Sequence, residues 1–237
     1  MDPSSDTEAL VEVGDKYRSH IYGEGEKNTK WKFDAAPNYD VVNKLFEEER
    51  SKEWPKGSLE ETVQNLVKTF EMELFHKACL EDIKTINRGK PMSMEELEKV
   101  GGYNVFLQSS LPDRLRAYDP STETSESSHH TFASAFPRGF ALETLEVYSG
   151  PPKIAFKFRH WGYMEGPFKG HAPTGEKVEL YGVGIAEVDE SMRMVKLEFI
   201  YDAGELLAGL LKGPILKEFE SDTSSSSSLN CPFLKGM

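Results

Sequence analysis

FASAFPRGFALETLEVYS (132–149), PKIAFKFRHWGYM (152–164), EKVELYGVGIAEVD (176–189) and MRMVKLEFIYDA (192–203) stand in direct succession, and GELLAGLLKG (204–213) follows at once. The first four read as strands and the last as a short apolar helix. Strands with no helix-length spacer between them must pair antiparallel. The turn EGPFKGHAPTG (165–175) joins the second and third, and Gly166, Gly170, Pro173 and Gly175 give it a defined shape. Helices first and a meander of long strands after is the order of an α+β domain, with helices on one face of a strongly curved antiparallel sheet. Such a sheet makes a cone, and its interior can hold a small molecule.

Upstream, Val41, Val42, Leu45 and Phe46 share one helical face, with Asn38 as the expected N-cap; WPKGS at 54–58 ends that helix. The next helix has the clearest pattern. Ser58 caps it, Glu61 completes an S-x-x-E box, and Val63, Leu66, Val67, Phe70 and Leu74 form one apolar stripe. Glu73 and Lys77 fall at the margin of that stripe. A third helix is expected from Ser93 to about Leu107, weakened by Gly101-Gly102. Residues 111–130 read as a short strand and an exposed loop that leaves His129 and His130 in solvent. The expected organisation is an irregular arm at 1–36, one domain at 37–219 and a disordered Ser-rich tail at 220–237.

A formal net charge of −12 argues against nucleic acid, whose phosphates such a surface repels. No apolar run approaches the roughly 18–20 residues that span a bilayer. Two cysteines, Cys79 and Cys231, make no disulfide framework, and the polar start MDPSSDTEALVEVGD has no signal-peptide pattern. A cytoplasmic protein without membrane or nucleic-acid partners is expected.

Candidate chemistry begins at His160. It shares a strand face with Ile154, Phe156 and Phe158, so it is carried inward, where an imidazole serves as acid, base or binding donor, or bonds a backbone carbonyl. Glu198 and Asp202 lie opposite Val195, Leu197, Phe199 and Tyr201. They are acid–base partners if that face lines the cavity. Otherwise Glu198 is solvated and Asp202 caps the following helix. Gly182 and Gly184 permit curvature or close approach within the third strand. His160 and His171 lack a third metal ligand nearby, and no G-x-S-x-G, Walker or dinucleotide fingerprint is present. Neither metal nor cofactor is therefore expected.

Three blocks, GDKYRSHIYGEGEKNTKWKF (14–33), residues 37–78 from PNYDVV to FHKA, and residues 136–182 with the long FRHWGYMEGPFKGHAPTGE run, closely resemble the plant pathogen-related protein family. That family looks like a SnoaL-like branch of the NTF2-like superfamily, whose enzymes are cofactor-free cyclases and isomerases of polyketide-type substrates. The resemblance implies a defence-associated protein whose cone binds a small hydrophobic or phenolic metabolite. The alternative it implies is a cyclase or isomerase using His160 with Glu198, Asp202 or Glu73. Phe156, Phe158, Trp161, His171 and Tyr181 are the expected ligand contacts, and a homodimer through the sheet face is the expected assembly.

A five-serine run beside Asp and Thr cannot bury enough apolar area to offset chain entropy. Truncation after Phe219 is expected to leave Tm nearly unchanged in a thermal melt. A large drop would mean that Phe233 or Leu234 packs against the domain.

Overall fold

The structure, a computed structural model, describes residues 14–89, 96–97, 102–109 and 111–216. The elements run α1 (Asp40–Glu49), α2 (Leu59–His76), α3 (Tyr103–Leu107), α4 (Ser125–Ala135), β1 (Ala141–Ser149), β2 (Lys153–Tyr163), β3 (Lys177–Val188), β4 (Met194–Tyr201) and α5 (Ala203–Leu210). The four strands form one antiparallel sheet in sequence order. The α+β fold read from the sequence is present, with helices before the meander and one short helix after it. The Ser-rich tail lies outside the described residues, as do 93–95 and 98–101 of the helix expected from Ser93, whose end at Leu107 is that of α3.

Local rules account for the helix ends. Ser58 Oγ accepts the Glu61 N–H at the start of α2, while Glu61 accepts the Gly57 N–H one residue before the cap. At α1, Asn38 Oδ1 accepts the N–H of Asp40, so the side chain caps from two residues before the helix.

Two expectations are corrected around residues 111–140. The stretch before the meander holds 3-10 turns at Asp113–Leu115 and Pro120–Thr122 and then α4 in place of the expected strand and of the loop's second half; residues 111–117 are exposed as expected of a loop. FASA is the end of that helix, and β1 starts only at Ala141. The physical reason is a reciprocal capping box between Thr124 and Ser127, which starts α4, and burial of Phe132, Ala135 and Phe136 at helical spacing. His129 therefore sits on a helix against other rings, while His130 is exposed as expected.

The apolar stripe of α2 packs Val63, Val67, Phe70 and Leu74 onto Ile154, Phe156 and Phe158 of β2 and onto β3 and β4 beyond. A second cluster places α4, α3 and α5 around Val178, Leu180 and Phe168. On the reverse face of β1 and β2, Trp161 and Ala141 pack with Phe46, Leu45 and Tyr17 of α1 and the N-terminal arm. Ladder shifts in β1 after Thr144 and after Val147 bend that strand.

Gly182 and Gly184 serve close approach as well as strand geometry. They lie directly opposite Phe158 and Phe156, and a Cβ there would come within 2.4 Å and 2.3 Å of the facing ring's Cζ. Each ring lies over a bare stretch of β3 backbone. Gly184→Ala is expected to drive Phe156 out of its packing and destabilise the fold by about 1–3 kcal/mol, the usual cost of overpacking. Urea denaturation checks it, and an unchanged midpoint would refute the contact.

Candidate functional site

A cavity of about 340 Å³ lies between α1, α2, α4 and the start of β1. Its apolar wall is aromatic, with Tyr39, Phe75, Tyr103, Phe132, Phe136 and Phe140. Exposed Asn38, Val41, Ala133 and Pro137 mark the side where it meets solvent. Deeper in, a void of about 30 Å³ is bounded by Phe75, Tyr103, Phe106, Phe132, Phe140, Glu71 and His160; Glu71 lines both spaces.

β2 carries His160 inward by strict alternation, and the side chain ends against Glu71 of α2, with Nε2 3.2 Å from Glu71 Oε1. Phe140 stacks on the imidazole at 5.3 Å and 8°, and Phe106 and Phe158 meet it edge-on. With Glu71 as acceptor, Nε2 is the nitrogen that donates. In the neutral ring of that tautomer Nδ1 carries the lone pair; it is buried and without a hydrogen-bond partner among the described residues. An oriented imidazole with a free lone pair beside an aromatic cavity can take or return a proton.

The other expected site residues go elsewhere. Glu198 stands exposed on the outer face of β4, because Leu197 and Phe199 claim the inner side. Asp202 is the N-cap of α5 and accepts the Gly204 N–H at 2.8 Å. Glu73 is fully buried but faces away from the cavity. It pairs with Lys77 at 2.9 Å and accepts from the Lys84 and Thr85 backbone N–H groups and the Thr85 hydroxyl. Lys77 in turn bonds Glu26 of the arm at 3.0 Å, so this network is closed on itself and holds the arm to α2. Phe156 and Phe158 fill the core and do not line the cavity. Trp161 is buried on the reverse face of β2. Tyr181 is exposed, and His171 bonds the Gly213 carbonyl through Nδ1 at 2.7 Å, tying the 165–175 turn to the chain after α5. Of the expected acid–base set, only His160 reaches these spaces, and it borders the small inner void.

No family model matches the chain. A protein of Hordeum vulgare described as "Pathogen-related protein" is 53% identical over 234 residues, spanning 94% of this chain and 96% of that one. The chain belongs to the pathogen-related protein family. Solved structures resembling part of it include AclR, a putative hydroxylase from Streptomyces galilaeus (22% identity, 40% of this chain and 59% of that one, TM-score 0.30). They also include a putative SnoaL-like polyketide cyclase from Jannaschia (19%, 39% and 65%, 0.29) and IdmH, a putative polyketide cyclase from Streptomyces antibioticus (21%, 37% and 64%, 0.31). The overlap takes in about two fifths of this chain.

In this pathogen-related protein the partner of His160 is the one residue of the pair that pattern reading missed. Gln64, Lys68, Glu71 and Phe75 recur at helical spacing beside the apolar stripe of α2. A stripe holding Lys and Glu reads as solvated. The signal against that reading is Phe75, which closes the stripe and stacks on Tyr103 at 4.3 Å and 8°. His76 and His129 were also missed as cavity residues; their rings lie 5.5 Å apart, edge to face.

Burial pushes the His76 imidazole down to about 3, and His129 is lowered for the same reason. Above about pH 6.5 both states of the chain carry these rings neutral, and they leave stability unchanged. Below it the unfolded chain takes up protons that the folded chain refuses, so stability is lost as pH falls. The expected slope is about 1.4 kcal/mol per pH unit for each fully refused proton. His76→Gln should flatten the fall between about pH 6.5 and 5, a window above the carboxylate range. Denaturation series at several pH values check it, and an unchanged slope would show that His76 titrates normally.

Proposed function

We propose that this protein binds a small, largely aromatic metabolite in the α1–α2–α4 cavity and moves a proton on it, as an isomerase or cyclase does, with His160 and Glu71 as the acid–base pair. The observation that carries the reading is the 3.2 Å contact between them at the inner end of an aromatic cavity, with the second imidazole nitrogen left unpartnered. Glu71 orients the ring and stabilises it when protonated. Nδ1 takes the proton. The apolar walls keep water from competing for it. In this reading Glu71 takes the acidic role for which Glu198, Asp202 and Glu73 were candidates.

A pathogen-related role is extended to this chain from its Hordeum vulgare relative. Binding without turnover is the second reading, favoured by the closeness of Phe140 and Phe106, which leave His160 little space. A homodimer through the outer sheet face is favoured by exposed Tyr181, Ile185 and Ile200. No described helix is long and apolar enough to cross a membrane.

His160→Gln is expected to lower conversion by roughly 10²–10⁴-fold while ligand binding stays within a few-fold, the range removed with a positioned acid or base. Mass spectrometry of product formed from extracts of infected tissue, beside direct binding of the same extract, separates the two. If the protein only binds, the change weakens affinity by about 1–2 kcal/mol, one buried hydrogen bond, and there is no rate to lose. Full conversion by the variant would sink the acid–base reading.

A further inference from the structure

Lys68 stands one helical turn before Glu71 on the cavity side of α2, and it is 1% exposed. Its ammonium sits 3.0 Å from the centre of the Phe46 ring and 4.5 Å from that of Tyr17. Among the described residues it donates no hydrogen bond, and no carboxylate lies within 4 Å of it. The cavity's other strong cations are matched. Arg18 bonds Asn43 Oδ1 at 2.7 Å, lies 3.5 Å from Asp15 and covers the Tyr39 ring; Arg138 makes a two-point contact with Glu165. Lys68 is thus a buried lysine, unpaired among the described residues, whose side chain lines a ligand-sized space while its amine lies over Phe46 and Tyr17 beside that space.

A ring face attracts a cation only weakly compared with what an ammonium loses on leaving water. The cavity lining compounds the imbalance. Arg18, Lys68 and Arg138 face it with Glu71 as the one carboxylate among the described lining residues, while burial keeps His76 and His129 from adding charge, in a chain whose overall charge is −12. What would complete this site is an anion with an aromatic body.

We propose that the cavity is a receptor for small aromatic carboxylic acids, with the ligand's carboxylate on Lys68, Arg18 as the second cation beside it, and the ring held between Tyr39, Phe75, Phe132 and Phe140. This rests on the reading of the cavity as a metabolite site and names the class of metabolite. The carboxylate end would sit about one turn of α2 from Glu71, so the reacting part of the ligand points toward the His160 pair.

The charge state of Lys68 gives the proposal its own signature. Burial first, then Arg18 and Arg50, push its amine well below the ordinary lysine range, against the opposing pull of Asp15 and Glu71. Those are the charged groups facing it from the arm, from the end of α1 and from α2 itself; His76, His129 and Arg138 lie across the cavity. A carboxylate arriving beside it favours the ammonium, so binding draws a proton from solvent.

The test uses the full chain and titration calorimetry with benzoate, and with benzyl alcohol as the uncharged control. Benzoate is expected to bind at least about tenfold tighter than benzyl alcohol, a preference worth one charge-assisted hydrogen bond. At about pH 9, where an ordinary lysine stays charged, two buffers of different ionisation enthalpy should report up to one proton taken up with benzoate and none with benzyl alcohol. Lys68→Met should abolish both the preference and the uptake while keeping benzyl alcohol binding. In the wild-type protein alone, benzoate affinity should fall with rising pH below the range of ordinary lysines, so the proposal stands or falls even if the variant does not fold. Equal affinity for the two ligands, or a preference that survives Lys68→Met with no proton uptake, overturns it and leaves the metabolite cavity standing. Failure of both ligands to bind overturns it along with the reading of the cavity.

Discussion

Helix α2 is the element on which the rest of this structure depends. Its 18 residues carry two adjacent stripes. Val63, Val67, Phe70 and Leu74 lie across the sheet and make the main core. Gln64, Lys68, Glu71 and Phe75 turn toward α1, α4 and the start of β1. The first stripe is held by burial of large apolar side chains, each worth about 1.5–3 kcal/mol. That fixes the rotation of the helix about its own axis and so fixes where the second stripe points. The position of Glu71 against His160 is a consequence of packing that involves neither residue.

The same helix buries charge in two different ways. At its C-terminal end Glu73 and Lys77 are enclosed with Glu26, and the Thr85 and Lys84 amides satisfy the remaining oxygens. Removing one partner from such a network costs about 3–5 kcal/mol, because the other charge stays buried alone. That network is structural, and it ties the N-terminal arm to the domain. On the neighbouring stripe Lys68 is buried with the Phe46 and Tyr17 rings in place of a counter-charge, and half-buried Glu71 meets His160 at 3.2 Å.

The sheet contributes a second constraint. Phe156 and Phe158 can lie flat over β3 only because Gly184 and Gly182 face them. The two rings fill the centre of the sheet's inner face, and the ligand-sized space is displaced toward α4 and the β1 end. The cone interior expected along the middle of β2 is therefore core, and the cavity belongs to the helices.

Period and order alone determined the meander, its antiparallel pairing, the inward side of β2 and the start of α2, since each follows from contacts within an element or between neighbours in the chain. His160 was legible for that reason. FASAF was misread because five residues fit either period, and the Thr124–Ser127 cap decides between them. The tertiary structure alone decided which carboxylate meets His160. Alternation gives the direction of Glu198 relative to Leu197, but a helix with a polar second stripe looks solvated until other elements cover it. Here α1, α4 and the 137–140 loop do so, and the stripe's own hydrogen bond from Thr144 N–H to Gln64 joins residues 80 positions apart, a distance over which no local pattern carries information.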